Sequence, residues 1–138
     1  MLEKARSELA PTGVLRAAIN LSNFLLVSGK TAAGEPLGVS PDMARAVAER
    51  LGVPLEYVLF DTPGALADAA GENIWDIGNI GAEPERAKTI AFSAAYAEIE
   101  ATYLVPAGSS IQSVDAVDRE GVRIGVYGRS AYGLWLSD

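Results

Sequence analysis

The feature that constrains this chain most is alternation. Short apolar runs rich in β-branched and aromatic residues are followed, again and again, by segments carrying helical punctuation. The order reads β-α-β-α-β-α-β-α-β-α. Neighbouring parallel strands need a crossover connection, usually a helix. The pattern therefore predicts α/β architecture with mostly parallel strands.

The segments can be placed from their boundary residues. The opening MLEKARSELAPTG reads as a short amphipathic helix ended by Pro11 and Gly13, and VLRAAI at 14–19 as a buried strand. From about Asn20 to Ser40 runs a loop containing Gly29, Gly34, Pro36 and Gly38. Loops of that length in a compact domain are often functional, although the polar tip SGKTAAGEP also suits an exposed hairpin. The clearest helix follows. Ser40 is placed to cap it, Pro41 suits its first position, and Asp42 favours its positive end. Met43, Ala44, Val47, Ala48 and Leu51 form its apolar face, and Gly52 stops it. A strand is predicted at 54–60, a helix at 63–70 and a third strand at 74–80. Glu83-Pro84-Glu85-Arg86 opens a further helix. Beyond a turn at 92–96 come a long strand at 98–106, a short helix near 113–118, a strand at 122–126 and a last helix from Ser130.

Composition narrows the chemistry. The 138 residues contain no cysteine and no histidine, which excludes thiol nucleophiles, disulfides, common zinc sites and histidine acid–base catalysis. A net charge of −7, with the 11 basic residues scattered, argues against nucleic-acid partners and anionic membranes. No run approaches the ~18 apolar residues of a membrane span. The first residues, MLEKARSELAPTG, lack the apolar core of a secretory signal. There is no P-loop, no G-x-S-x-G and no dinucleotide fingerprint, so no cofactor is expected.

Open α/β sheets take ligands beyond the carboxyl ends of their strands. Three places qualify here: Asn20 to Phe24, Asn79 to Arg86, and Tyr127 to Ala131. Each combines polar side chains or glycine with backbone N–H groups able to meet an anion. Arg86 adds a bidentate donor fork. On spacing alone each residue also has a plainer role. Arg86, set among Glu83, Glu85 and Lys88, suits a solvated ion pair. Asn20 and Asn79 suit turns, and Gly128-Arg129-Ser130 suits a simple helix cap. Glu83/Glu85 and Glu98/Glu100 read as solvated faces, with no metal motif around them.

The linear order of motifs resembles the periplasmic solute-binding proteins of polar amino-acid ABC importers, the family 3 extracellular solute-binding proteins. The resemblance runs from about Gly13 to Leu136. It starts at GVLRAAIN (13–20) and continues through GEPLGVSPDMARAVAERLGVPLEYVLF (34–60). It is most specific at WDIGNIGAEPERAKTIAFSAAY (75–96), and it ends at YLVPAGSSIQSVDAVDREGVRIGVYGRSAY (103–132). It implies a periplasmic-binding-protein-like fold: a first lobe with a parallel sheet (1–97), then a crossing strand and the start of an incomplete second lobe (98–138). In such proteins two lobes close on an amino acid or related small carboxylate, which is handed to an ABC permease in the periplasm.

By the same resemblance, Arg86 clamps the ligand carboxylate. The turn Asn79-Ile80-Gly81 offers backbone groups, Asn20, Asn23 and Phe24 contact the ligand side chain, and Arg129, Ser130 and Ala131 supply the second lobe's turn. Family members continue well beyond the length seen here, so the chain is expected to be an N-terminal portion. The expected activity is binding, not catalysis. Two rivals stand beside it. One is a periplasmic dehydratase on the same fold, for which Glu83 is the only carboxylate at a ligand-facing turn. The other is a truncated or engineered half-protein that binds nothing and forms an oligomer. Independently of family, the apolar residues of 98–138 predict a homodimer or higher oligomer, because so short a piece cannot bury them alone.

Overall fold

LRAAIN lies at the centre of a parallel sheet, and that position explains its composition. The computed structural model describes residues 2–137. In it β1 (Leu15–Asn20) is flanked by β4 (Leu55–Phe60) on one side and β5 (Ile77–Asn79) on the other, both parallel to it. Leu15 is opposite Leu55, Asn20 is opposite Phe60, and Ile19 is opposite Asn79. A central parallel strand is covered on both faces, which accounts for a nearly continuous apolar run instead of alternation. Leu15, Ala17, Ala18 and Ile19 are all fully buried.

One face of β1 meets α2 (Val39–Leu51). Leu15 clusters with Ala48, Leu51 and Ala10; Ala17 and Ile19 cluster with Ala44 and Val27. Small alanines on α2 let the helix sit close to the sheet, while Met43, placed on the apolar face by periodicity, is exposed. A shorter helix, α3 (Pro63–Asp68), contacts β1 and β4 and buries Leu66 completely. Thr62 caps α3, its hydroxyl accepting from the Ala65 N–H at 3.1 Å. The N-terminal helix α1 (Leu2–Leu9) is fastened to α2 by Arg6, whose Nε donates to the Leu51 carbonyl at 2.7 Å.

The long loop folds back as the exposed hairpin that its tip suggests, with β2 (Gly29–Lys30) antiparallel to β3 (Pro36–Leu37). Several boundaries differ from expectation. The cap of α2 is Gly38, not Ser40, and Ser40 lies inside the helix with its N–H on the Leu26 carbonyl at 3.0 Å. At Gly38 φ is +129°, and a Cβ there would come within 2.5 Å of that same carbonyl. The returning loop thus requires glycine, and the helix starts at Val39, two residues earlier than expected. Gly52 ends α2 in the left-handed conformation as expected. The segment at 74–80 ladders only over 77–79, and the helix expected from residue 83 is a single 3₁₀ turn, Arg86–Lys88.

The chain divides into two units, 1–92 and 93–138. In the second, the expected helix near 113–118 is a 3₁₀ turn (Val114–Ala116), and α4 covers Ala131–Trp135. The expected strands at 98–106 and 122–126 are not part of any sheet among the described residues. Their apolar composition is right for strands, but a strand exists only through ladder partners.

Candidate functional site

The parallel register brings the ends of β1 and β5 together, so the loops beginning at Asn20 and Ile80 leave the same end of the sheet. Asn20 is buried, and its Oδ1 accepts from the Ser22 N–H at 3.1 Å and the Ser22 hydroxyl at 2.7 Å. That side chain closes an Asx-type turn, the plainer of its two expected roles. The Asn23 carbonyl then accepts from Leu26 and Val27, which folds the loop into a compact knuckle. Phe24 projects from this knuckle and is 80% exposed.

On the neighbouring strand Asn79 and Ile80 are half-buried and Gly81 is exposed. Pro84 brings no N–H, so the first backbone donors of the following turn are those of Glu85 and Arg86. Glu83 takes both: Oε2 accepts from the Glu85 N–H at 2.8 Å and Oε1 from the Arg86 N–H at 2.6 Å. The same Oε1 lies 3.8 Å from Arg86 Nε. Arg86 also donates from Nη1 to the Gly81 carbonyl at 2.8 Å. The side chains of Arg86 and Glu83 are only 4% and 5% exposed. The solvated ion-pair role for Arg86, and the solvated face for Glu83, are therefore overturned. Arg86 is folded back over its own turn because an adjacent carboxylate and carbonyl compensate its charge inside the protein. Glu85 and Lys88 do form an exposed pair.

Arg129, Ser130 and Ala131 belong to the second unit. Arg129 has φ +58°, and the Ser130 hydroxyl accepts from the Gly133 N–H at 3.1 Å to cap α4, of which Ala131 is the first residue. The cap role is present. The remaining seven predicted residues share the sheet end in the first unit.

Sequence reasoning missed two charged arrangements. Arg16 and Asp76 pair at the opposite end of the sheet: Asp76 Oδ2 accepts the Arg16 N–H at 2.9 Å and Nε at 3.0 Å, and Oδ1 accepts Nη2 at 2.6 Å. Burial by itself would push the Asp76 carboxyl up; the hydrogen bonds and charge of Arg16 outweigh this and hold it below the usual range. The second arrangement borders an open groove of about 500 Å³ beside β4, lined in part by Glu35, Arg45, Glu56 and Tyr57. Arg45 bonds to Asp42 and to the Tyr57 hydroxyl, which donates to the Pro41 carbonyl at 3.1 Å. Both arrangements join residues distant in sequence. Among the described residues no cluster of three or more Asp, Glu, His or Cys could hold a metal ion, and no helix is long and apolar enough to cross a membrane.

A parallel sheet with helices on both faces, and a buried arginine at the carboxyl ends of its strands, define an α/β small-molecule-binding architecture. Residues 22–126 match the family described as bacterial extracellular solute-binding proteins, family 3, and the chain belongs to that family. Among solved structures, it is similar to an ancestral cyclohexadienyl dehydratase, with 26% identity and a TM-score of 0.50 over 59% of this chain and 34% of that one. It is equally similar to an ancestral cationic amino acid solute-binding protein, at 26% identity and TM-score 0.50, over 63% of this chain and 36% of the other. The matched part thus spans about a third of either structure. No curated protein sequence matches the chain. The periplasmic-binding-protein-like fold expected from the motifs is the fold observed.

Proposed function

We propose that the chain binds a small amino-acid-like solute at the carboxyl ends of β1 and β5, as part of a periplasmic receptor that delivers the solute to an ABC permease. The observation that carries this reading is Arg86: a nearly fully buried guanidinium, held to the Gly81 carbonyl two residues past the end of β5. A buried charge of this kind is costly to maintain and is characteristic of a place where polar groups are recognised. The family and the solved relative named for cationic amino acids support the same reading. The dehydratase relative raises catalysis as the alternative. A general acid would be needed, and the carboxylate at this turn, Glu83, has both oxygens engaged by backbone N–H groups. We therefore infer binding without catalysis.

Isothermal titration calorimetry with a panel of amino acids tests the proposal. Saturable binding is expected for at least one of them. Arg86→Lys, which keeps the charge and loses the planar fork that holds the Gly81 carbonyl beside Glu83 and so shapes this turn, should weaken that binding at least about tenfold. No heat from any solute, with the chain shown to be folded by circular dichroism, would refute it.

A further inference from the structure

Glu83 sets the protein's own carboxylate where an anionic solute group would be attracted. A buried guanidinium and two N–H groups at the start of a turn are a set of donors suited to an anion. Here they already converge on one: the Glu83 oxygens accept from Glu85 and Arg86 at 2.8 and 2.6 Å, and Oε1 lies 3.8 Å from Arg86 Nε. Glu83 lies three positions before Arg86 in the chain, so the effective concentration of this anion at the site is high and constant. A carboxylate arriving from solution has to displace Glu83 or sit beside it. In the first case a buried charge loses its partners; in the second, two like charges meet in a poorly solvated place.

We propose that Glu83 is a selectivity-determining residue: its internal carboxylate neutralises Arg86, so the site favours solutes whose approaching head group is neutral or cationic over those presenting a carboxylate. This rests on the solute-binding reading above and names the solute class within it. The Glu83–Arg86 pair leaves the turn with no net charge. An amide, amine or hydroxyl head group can then bind without competing for Arg86, and the Gly81 carbonyl on the guanidinium's other side uses one further donor. Lys88, the nearest basic residue along the chain, is engaged with Glu85 and does not change this balance.

The test compares amino acids with their carboxamides, pair by pair, by calorimetry on the whole chain. The wild-type protein should bind the amides at least as tightly as the free acids. Glu83→Gln removes the charge and keeps an acceptor; Glu83→Thr keeps a short capping hydroxyl. In each, the ratio of free-acid to amide affinity should rise about tenfold or more. A change in this ratio is something a purely structural cap would not produce, and thermal melts confirm that the variants are folded. Should both variants unfold, the wild-type ratio decides: preference for the amide supports the proposal, and preference for the free acid overturns it. If folded variants show the wild-type ratio, Glu83 is only a cap and the inference fails while solute binding stands. Absence of binding by every folded form would remove the solute-binding reading, and this inference with it.

Discussion

Asp76 is kept ionised by Arg16, and this makes one residue pair a determinant of acid stability. A carboxyl whose pKa is depressed on folding stabilises the protein fully above its unfolded value of about 4, and loses that contribution as the pH falls through the folded value. Asp76→Asn should therefore be less stable than wild type at pH 7, and the gap should close below about pH 4. Denaturant melts from pH 3 to 7 check this; a gap independent of pH would show that the carboxylate charge plays no part. Gly38 is the other sharp residue-level case. Alanine there must accept φ +129° and a Cβ 2.5 Å from the Leu26 carbonyl. Gly38→Ala should cost more than ~1 kcal/mol, measured by chemical denaturation, because strain of this kind exceeds the usual entropy benefit of removing glycine. Neither effect was visible in the residues alone. Ser40 offered the stronger capping signal at the α2 start, and only the folded loop shows that Gly38 must occupy the cap. Arg86 was legible as an ion-pairing residue among Glu83, Glu85 and Lys88, but such a turn is exposed in most contexts, and its burial is a property of the folded chain.

At the scale of elements, patterning was informative wherever both neighbours of an element lie nearby in the fold. β1, α2, β4 and α3 were readable because most of their apolar residues, and the glycine that ends α2, agree with the packing they meet. Leu15→Ala and Leu66→Ala remove fully buried side chains from opposite faces of the same sheet. Each should destabilise the first unit by about 2–5 kcal/mol, and the two losses should add, since the sheet separates the sites. Thr62→Ala should cost about 1 kcal/mol through the lost cap of α3. Residues 98–106 and 122–126 show the limit of patterning. Their composition carries a preference for extended backbone, yet nothing in a local window specifies a hydrogen-bonding partner. Hydrogen exchange should follow this division, with β1 amides slowest and those of 98–106 close to the unstructured rate. Strong protection at 98–106 would mean that the segment pairs in solution.

Over the whole molecule, apolar surface is distributed unevenly. Leu104 is 99% exposed, Trp135 and Val114 are each 68% exposed, and Tyr127 is 55% exposed, all of them within residues 93–138. Among the described residues of 1–92, Phe24 and Leu25 are the large apolar side chains more than half exposed, and others such as Leu2 and Val39 fall below half. Soluble monomers rarely present so much apolar surface over so short a stretch. Self-association through 93–138 is the expected outcome at micromolar concentration, and sedimentation velocity checks it. A monodisperse monomer at all concentrations would contradict the expectation, as would an oligomer unaffected by Trp135→Ser and Leu104→Ser.

The order β4-β1-β5 also has a consequence for the moment of synthesis. The strand at the centre of the sheet is the first of the three to leave the ribosome, and the two that shelter it come later. Leu15 has to wait for Leu55, and Ile19 for Asn79. Until the second of them has cleared the exit tunnel, the most deeply buried of the three strands has one side open. The nascent chain is then a natural client for holding chaperones, and ribosome-bound intermediates arrested before and after residue 79 has emerged from the tunnel should differ abruptly in protease resistance.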